Sequence, residues 1–329
     1  MTTNSVLQPN TAPHLTYRHV EAIHHAPQPH WVGDGFFVHS MFNHMVADKR
    51  TDPFLLLDYA PIRHFSANTS APRGVGQHPH KGFETVTIAY AGEVAHRDSS
   101  GGGGIIKTGD VQWMTAGCGV IHEEFHSPKF SQTGGDFSMV QLWVNLPAQH
   151  KNTAPKYQHL SHQTMPMIAL HDDSGLHAGT LKVVAGELTT MNDTAQDKAA
   201  DFLAGAAQTF TPINLWDIDI EAERTIELDI ARTHNLLLLV MEGGITLNAD
   251  HQHQAFAHQL VTFMPESKAA GCDRLRLSAN AVGAKVLLMS GEPINEPVVG
   301  YGPFVMNSQA EIRQAILDFN DGKFGSLDA

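Results

Sequence analysis

Residues 78–93 read HPHKGFETVTIAYAGE. From Phe83 onward the stretch is rich in Thr, Val, Ile and Tyr and ends at Gly92, which is typical of a strand that enters a hairpin. His78 and His80 precede the strand. Residues i and i+2 of an extended chain project from the same face, so these two imidazoles can converge on one ion. The stretch predicts a strand-rich domain and a candidate metal site where the strand begins.

Short strand-like runs separated by turns continue on both sides of this stretch. IIKTGDVQWMTAG, VIHEEFH and FSMVQLWVNLP follow in the first half, and INLWDIDI, HNLLLLVMEGGITLN and AKVLLMSGEP in the second. The GGGG run at 101–104 fits a hairpin loop, because no strand-to-helix context or Lys-Ser/Thr pair supports a phosphate cradle. The halves are alike, since IAYAGEV parallels LVMEGGI. The pattern predicts an all-β protein with a duplicated β-barrel.

Changes in composition divide the chain. We expect a polar N-terminal arm over residues 1–30 (with a strand in TYRHVEAIH), a first barrel over 31–150, a polar histidine-rich linker over 151–178, a second barrel over 179–300 and a tail over 301–329. The first half carries no convincing helical pattern.

The tail carries a different periodicity. Ile312, Ala315, Ile316 and Phe319 follow the i, i+3, i+4, i+7 spacing of an amphipathic helix. Ser308 and the glutamate three residues after it form a capping-box signature. This predicts a helix over about 308–320 whose apolar stripe docks on one of the barrels.

Composition excludes several classes of function. The net charge of −13 and the absence of any Lys/Arg cluster argue against direct nucleic-acid binding. The 22 histidines outnumber the 21 lysines and arginines, so most of them cannot be ligands. No segment approaches the roughly 20 apolar residues that span a bilayer, and the N-terminal sequence lacks a signal-peptide pattern, so we expect no membrane association and a cytoplasmic location. Cys118 and Cys272 form no disulfide framework or CxxC pair, and we expect Cys118 to be inert.

A second pair of ligand-type residues strengthens the metal hypothesis. VIHEEFH (120–126) places His122 and Glu124 at i and i+2, again on one face of a strand. With the first pair this gives three imidazoles and one carboxylate, a set that suits Fe, Mn, Ni, Cu or Zn. Four such ligands leave two positions of a six-coordinate ion open, and both cysteines are spare, which favours a catalytic over a structural site.

Other residues have plainer interpretations. HQH at 251–253 has the same spacing but lies between two strands, where an exposed hairpin tip is expected. His126 lies near a strand end, and we expect a spare histidine. Core packing is expected for Trp113 and Met114 rather than lining of the site. One face of the strand that carries Gln141 and Trp143 could reach the pocket.

Four separated motifs together resemble the pirin family over about residues 30–322. They are HPHKGFETVT, GDVQWMTAGCGVIHEE, QLWVNLP and GEPINEPVVGYGPFVMNSQAEIRQAILDF. The resemblance implies two tandem cupin (jelly-roll type) β-barrels with a C-terminal helix. It also implies one metal ion, usually iron, bound in the N-terminal cupin by His78, His80, His122 and Glu124. The C-terminal cupin would be a decayed, metal-free copy.

Two positions need separate expectations. Cys118 stands where pirins commonly have arginine, which changes the expected electrostatics near the mouth of the site. Cupins in general use the glutamate of the first motif, here Glu84, as a ligand, whereas the pirin pattern gives that role to Glu124. Glu84 would then orient a ligand histidine or, less in keeping with pirins, coordinate directly.

The resemblance implies two functions of different classes. One is a metal-dependent oxidoreductase similar to pirin-type quercetin 2,3-dioxygenases, which open a flavonol-like aromatic substrate with O2 and release carbon monoxide. Fe(II) would be the ion, with Mn, Ni, Cu or Zn as alternatives, and Glu124 the general base. The other is a non-catalytic, iron-dependent redox-sensing regulator that binds a transcription factor or a metabolic enzyme. A metal-stabilised scaffold without turnover is a third interpretation.

Overall fold

The computed structural model describes residues 17–46, 49–191, 200–265 and 272–327. Most of these residues form strands. The first twelve strands are β1 (Val20–His25), β2 (His30–Val32), β3 (Phe36–Asn43), β4 (Phe54–Phe65), β5 (Gly74–His80), β6 (Phe83–Ala91), β7 (Glu93–Asp98), β8 (Gly103–Lys107), β9 (Val111–Thr115), β10 (Val120–His126), β11 (Gly135–Asn145) and β12 (Lys156–Leu160). The remaining strands are β13 (Met167–His171), β14 (His177–Ala185), β15 (Glu187–Met191), β16 (Ala200–Ala204), β17 (Ile213–Ile220), β18 (Thr225–Ala231), β19 (Asn235–Leu247), β20 (Asp250–Phe256), β21 (Gln259–Phe263), β22 (Cys272–Gly291), β23 (Val299–Tyr301) and β24 (Phe304–Met306).

Among the described residues, two α-helices accompany the strands: α1 (Pro128–Thr133) and α2 (Gln309–Asn320). The sequence of the first half carries no convincing helical pattern, so α1 was not predicted. It is one short turn, started by the Ser127 side chain, which accepts a hydrogen bond from the Phe130 amide at 3.0 Å. None of the helices in the described ranges is long and apolar enough to cross a membrane. The cytoplasmic location stays a prediction.

The two halves of the chain repeat one sheet topology. In the first, strands are ordered β12-β9-β6-β11-β4-β3-β2, and in the second β1-β21-β19-β22-β17-β14-β13. Each strand of one sheet has a counterpart at the same place in the other. This repetition confirms the expectation of an all-β protein with two tandem barrels.

Each large sheet is completed by a strand from outside its expected segment. Residues 20–25 of the predicted arm form β1, which pairs with β21 of the second barrel. Residues 156–160 of the predicted linker form β12, which pairs with β9 of the first barrel. The remainder of the arm, residues 1–16, lies outside the described residues. The segment that precedes the first barrel in sequence therefore adds a strand to the second barrel. The segment that follows the first barrel adds a strand to the first barrel itself.

A smaller sheet, β5-β10-β7-β8, closes the first barrel against its large sheet. In the second barrel the same places are taken by β18, by β20 and by the extended parts of β19 and β22. By this correspondence β18 is the counterpart of β5, and the start of β22 is the counterpart of β10.

A shared apolar cluster joins the barrels; we call it the seam cluster. Its first-barrel members include Phe54, Leu57, Val86, Ile88, Val111, Trp113, Val140 and Leu142, and its second-barrel members include Leu215, Leu237, Leu239, Leu287 and Met289. β6 and β19 are buried on both faces, because one face lines a barrel and the other packs in the seam. This explains why β19 carries a continuous apolar run, residues 236–241, whereas β6 is buried with polar side chains such as Thr85 and Thr87 among its apolar ones.

The tail returns to the first barrel. Ile312 and Ala315 of α2 pack with Phe304, Met306 and Phe324. The ring of Phe324 covers Gly119 at the start of β10, where an added Cβ would lie 2.3 Å from the ring. The predicted helix is confirmed, and its apolar stripe contacts the barrel that carries the candidate metal ligands.

Candidate metal centre

Three predicted ligand histidines lie side by side on two neighbouring strands. β5 and β10 are antiparallel, with His122 opposite His78 and Val120 opposite His80. The ring centroids of His78 and His122 are 4.2 Å apart, and those of His80 and His122 are 4.7 Å apart. One ring nitrogen from each of the three histidines lies within 4.8 Å of the others. The i, i+2 pattern and the strand register together bring these imidazoles to one point.

Hydrogen bonds orient the histidine rings and leave ligand-type nitrogens without partners. His78 donates from Nδ1 to the Gly76 carbonyl at 2.8 Å. His80 bonds to the Pro303 carbonyl, which belongs to the tail. Among the described residues, His80 Nδ1 and His122 Nε2 are buried without a hydrogen-bond partner. Buried unpaired nitrogens are costly in a folded protein and are what a metal site would satisfy.

The electrostatic surroundings favour neutral imidazoles. Burial, and then the proximity of His78, hold the pKa of His80 well below its ordinary value. Burial, and then the neighbouring His80 and His78, do the same for the pKa of His122. A metal binds the neutral imidazole, so these histidines do not have to lose a proton at neutral pH before they can coordinate.

Glu124 occupies a different position from the three histidines. It is buried, and its Oε1 accepts hydrogen bonds from Gln112 Nε2 and from Thr87 Oγ1 at 3.2 Å. Its Oε2 accepts from Gln141 Nε2 at 2.8 Å. Its ligand-type oxygen groups with nitrogens of His122 and of His96, within 4.8 Å of one another, rather than with the HPH pair. Glu124 therefore borders the histidine cluster through His122.

The structure adds His96, which the sequence analysis did not single out. His96 lies on β7, opposite Glu124 in the pairing of β7 with β10. Its Nδ1 is 3.3 Å from His122 Nδ1, and its Nε2 is 3.1 Å from Asp98 Oδ2. The signal was present, since His96 and Asp98 in EVAHRD have the same i, i+2 spacing as the two histidines of HPH.

Asp98 carries a negative charge beside this histidine. Burial alone would raise the pKa of Asp98, but hydrogen bonds from His96 and Ser100 outweigh it and hold the pKa below its usual range. Asp98 Oδ1 accepts from the Ser100 amide at 2.9 Å and from the Gly102 amide at 3.0 Å. The carboxylate therefore caps the β7–β8 turn with one oxygen and meets His96 with the other.

Glu84 points away from the histidines. β6 pairs with β9 in regular register, so Glu84 shares a face with Val86 of the seam cluster, while Thr87 on the opposite face reaches Glu124. The Thr115 hydroxyl donates to Glu84 Oε1 at 2.7 Å. The expectation that Glu84 orients or coordinates a ligand is wrong, because strand alternation turns its side chain to the seam.

Comparisons with known proteins identify the family of the chain. Residues 35–144 match the family model described as Pirin, and residues 215–325 match the Pirin C-terminal cupin domain. A Pseudomonas aeruginosa protein named "Putative quercetin 2,3-dioxygenase" is 44% identical over 295 residues, which cover 90% of this chain and 94% of that protein. The chain belongs to the pirin family.

Two further similarities place this pirin among its relatives. Pirin-like protein 2 of Arabidopsis thaliana is 34% identical over 280 residues, covering 84% of this chain and 77% of that protein. The crystal structure of a quercetin 2,3-dioxygenase from Acinetobacter baumannii is similar at 46% identity with a TM-score of 0.82, covering 95% of this chain and all of the other. These similarities confirm the fold of two tandem cupin barrels with a C-terminal helix.

An aromatic wall stands beside the histidines of this pirin. The rings of Phe83 and Trp143 stack with centroids 4.2 Å apart, and Trp143 meets the edge of His80 at 5.2 Å. Trp143 Nε1 donates to Gln141 Oε1 at 3.4 Å, so the wall is linked to the residue that holds Glu124. Gln141 and Trp143 therefore share the face that reaches the site, whereas Trp113 packs in the seam cluster.

The remaining sequence candidates lie elsewhere. His126 packs among phenylalanine rings such as Phe65 and Phe137, and its Nε2 contacts the Gly35 carbonyl at 3.0 Å. The HQH residues lie at the start of β20, where His251 is exposed. Cys118 is a free, exposed cysteine.

The second cupin of this pirin has apolar residues where the first has histidines. On β18, the counterpart of β5, the buried inward positions are Ile226, Leu228 and Ile230. Leu275 and Leu277 are buried on the start of β22, the counterpart of β10. The groups of potential ligands found among the described residues lie in the first cupin.

Proposed function

We propose that this pirin is a metal-dependent dioxygenase that opens a flavonol-like aromatic substrate with O2. His78, His80, His122 and Glu124 would be the metal ligands, and Fe(II) the ion, with Mn, Ni, Cu or Zn as alternatives. The observation that carries the proposal is the convergence of three imidazoles, two of which keep buried ring nitrogens without partners. The names of the bacterial relatives point to the same class of reaction.

The donor set fits a borderline divalent metal. Three neutral nitrogens and one carboxylate match the preferences of first-row transition metals, and the cluster contains no thiolate that would favour a structural zinc site. A bound metal would supply Lewis-acid activation of a coordinated oxygen. The protein would contribute the fixed orientation of the three rings, through the Gly76 and Pro303 carbonyls and the contact with His96.

Glu124 is our candidate for accepting the substrate hydroxyl proton. Its Oε1 accepts two hydrogen bonds, from Gln112 and Thr87, whereas its Oε2 accepts one, from Gln141. Oε2 is therefore the oxygen with spare acceptor capacity, and we assign the proton to it. The Gln141 amide would keep its hydrogen bond to the other lone pair of Oε2, so the proton acceptor stays linked to the aromatic wall through Trp143.

The aromatic wall gives the candidate ligands an apolar border. Phe83 and Trp143 are buried beside His80 and stack on each other. His44 also stacks on Trp143. These rings exclude water from that side of the histidines, and an apolar border of this kind suits an aromatic substrate.

The experiment is turnover of quercetin by metal-loaded protein. Wild-type protein loaded anaerobically with iron should consume the flavonol absorbance in air-saturated buffer and release carbon monoxide. His122→Ala should abolish turnover because it removes a ligand, and Glu124→Gln should reduce it at least about 100-fold because it removes the base. His251→Ala, an exposed histidine in the second cupin, is the control and should leave the rate unchanged.

Two results would contradict the proposal. The activity would be ruled out if the protein were loaded with one equivalent of each of the five metals in turn and consumed quercetin with none of them. A specific protein partner recovered in the same state would then favour the regulator. Equal metal content in wild type and His78→Ala, measured by elemental analysis, would remove the proposed site itself.

A further inference from the structure

His122 is held from behind by a histidine and an aspartate on the next strand. In the pairing of β7 with β10, Asp98 lies opposite His122 and His96 opposite Glu124. The contacts form a line from Asp98 Oδ2 to His96 Nε2 at 3.1 Å, and from His96 Nδ1 to His122 Nδ1 at 3.3 Å. The far nitrogen of His122, Nε2, is buried and has no partner among the described residues.

With Asp98 ionised and His96 neutral, one arrangement of protons along the line satisfies both contacts. An ionised carboxylate only accepts, so the nitrogen of His96 that faces Asp98 must carry a proton. In a neutral imidazole the other nitrogen, Nδ1, is then an acceptor. His122 must donate to it from its own Nδ1, which leaves the lone pair of His122 at Nε2, on the side of the candidate metal.

The parts of this line are fixed by other contacts. Asp98 Oδ1 is occupied by the Ser100 amide, the Ser100 hydroxyl at 2.6 Å and the Gly102 amide, so Oδ2 is left to His96. The side chains of His96 and Asp98 are fully buried. The His96 ring also stacks on Tyr157, with centroids 5.0 Å apart and an angle of 13° between the planes. Neither the His96 ring nor the Asp98 carboxylate can rotate without breaking several of these contacts.

We propose that Asp98 and His96 are positioning residues that fix the tautomer and orientation of His122, so that Nε2 is presented to the metal. The inference rests on the metal site of the proposed function. Partners that hydrogen-bond to a metal-ligating histidine typically contribute about 10- to 100-fold in metal affinity. Here the partner is a second histidine, and through its ring the Asp98 carboxylate determines which nitrogen of His122 carries the proton.

Asp98→Asn is the sharpest variant. The asparagine keeps an oxygen for the Ser100 and Gly102 amides, so the turn is preserved, but it presents an NH2 group to His96 Nε2. To accept from that group, His96 must move its proton to Nδ1. His122 would then accept at Nδ1 and carry its proton at Nε2, where it blocks the metal. We expect the dissociation constant for cobalt(II), measured by competition with a chromophoric chelator, to rise about 10- to 100-fold.

Two variants of His96 separate hydrogen bonding from packing. Asparagine can place its side-chain oxygen near the position of Nδ1, so His96→Asn keeps an acceptor for His122, whereas His96→Leu removes it. We expect affinity for cobalt(II) to fall in the order wild type, His96→Asn, His96→Leu. The visible absorption of the cobalt-loaded protein should shift in His96→Leu and Asp98→Asn. Asp98→Asn is isosteric, so a spectral shift in that variant reports the changed proton position rather than lost packing.

The chain offers a matched control in the same cupin. Asp110 is also buried, contacts a histidine through His162 Nδ1 at 2.9 Å and accepts from the Lys107 amide at 3.0 Å. Asp110→Asn should leave cobalt affinity and the spectrum unchanged. It reports any general effect of replacing a buried, histidine-bonded aspartate.

The outcomes distinguish this inference from the proposed function. Wild-type affinity and spectrum in both Asp98→Asn and His96→Leu, with affinity lost in His122→Ala, would overturn the positioning role and leave the metal site standing. Unchanged affinity in His122→Ala as well would overturn the site itself. No substrate is present, so an absence of quercetin turnover bears on neither result. If Asp98→Asn does not fold, the order of the cobalt(II) affinities of His96→Asn and His96→Leu still tests the positioning role.

Discussion

At the scale of single residues, the alternation of side chains along each strand determines which ligand-type groups lie together. Side chains at i and i+2 share a face of a strand, which brought out the pairs in HPH and HEE. His96 and Asp98 follow the same rule, but an HxD pair is less conspicuous in a chain with 22 histidines. The pairing of β7 with β10 gives this pair its meaning, because it puts His96 against His122.

Glu84 leads to a prediction on stability and pH. Burial raises its pKa to about 7, although the hydrogen bond from Thr115 opposes the shift. The folded-state value lies above the ordinary value of 4.5, so folding favours the protonated acid. Its contribution to stability is fully present below pH 4.5 and is lost as the pH rises towards 7. Glu84→Gln should therefore match wild type near pH 4 and be more stable above pH 7, by on the order of 3 kcal/mol.

Urea unfolding at several values of pH between 4 and 8 tests this expectation. Glu292→Gln, at an exposed position, is the control and should leave the pH profile unchanged. A difference between Glu84→Gln and wild type that stays constant across the range would contradict the prediction, because only a titrating group makes it vary.

At the scale of elements, the C-terminal helix shows what local sequence can and cannot specify. Ser308 Oγ accepts from the Glu311 amide at 3.3 Å and donates to Glu311 Oε2 at 2.8 Å, so the Ser308–Glu311 pair predicted from the sequence caps the helix, and Glu311 Oε2 also accepts from the Asn307 amide at 3.2 Å. Capping and apolar spacing are local, and they fixed where the helix begins and which face is buried. Its docking surface on the first barrel depends on contacts with β10 and the HPH segment, which are distant in sequence.

The docking of the tail predicts a large effect for one side chain. Phe324 is 2% exposed and packs against Phe304 and Phe319, with its ring over Gly119. Phe324→Ala should lower the free energy of unfolding by about 3 to 5 kcal/mol, because it removes a buried ring and leaves a cavity. The measurement is urea unfolding of the metal-free protein.

Phe319→Ala provides the comparison within the same aromatic group. Phe319 is 36% exposed, so much less apolar area returns to water when its ring is removed. We expect its loss to cost roughly half as much or less, since the transfer free energy scales with the apolar area buried. An equal or larger effect at Phe319 would mean that the tail is not anchored by Phe324.

At the scale of the whole molecule, the two cupins form one structural unit. The seam cluster contains residues of both, and β1 and β12 complete sheets that lie on opposite sides of the domain boundary predicted from composition. The precise domain limits stay a prediction. Neither barrel could separate from the other without exposing a face built of large apolar side chains.

This arrangement predicts a single unfolding transition. Leu239→Ala removes a fully buried side chain that the second cupin contributes to the seam cluster. It should destabilise the whole protein by about 2 to 5 kcal/mol. Calorimetry should show one transition, shifted as a whole, and the fluorescence of the tryptophans, which lie in both cupins, should follow the same curve. Two transitions, of which only one moves, would contradict the cooperative seam.

The sequence by itself determined what depends on neighbours along the chain. Alternation and β-branched composition predicted the strands, internal similarity predicted two barrels, and the two i, i+2 pairs predicted the histidines that converge. The capping box and helical spacing predicted α2. Each of these patterns lies in the linear sequence, so each could be recognised before any strand was paired.

Only the tertiary structure decided which face each strand turns inward and which strand lies beside it. Alternation groups Glu84 with Val86 and separates it from Thr87, but it cannot say which group faces the site. Strand pairing turned Glu84 to the seam and brought His96 behind His122. The physical reason is that a strand is two-sided and its partners are chosen by long-range burial, which no local periodicity encodes.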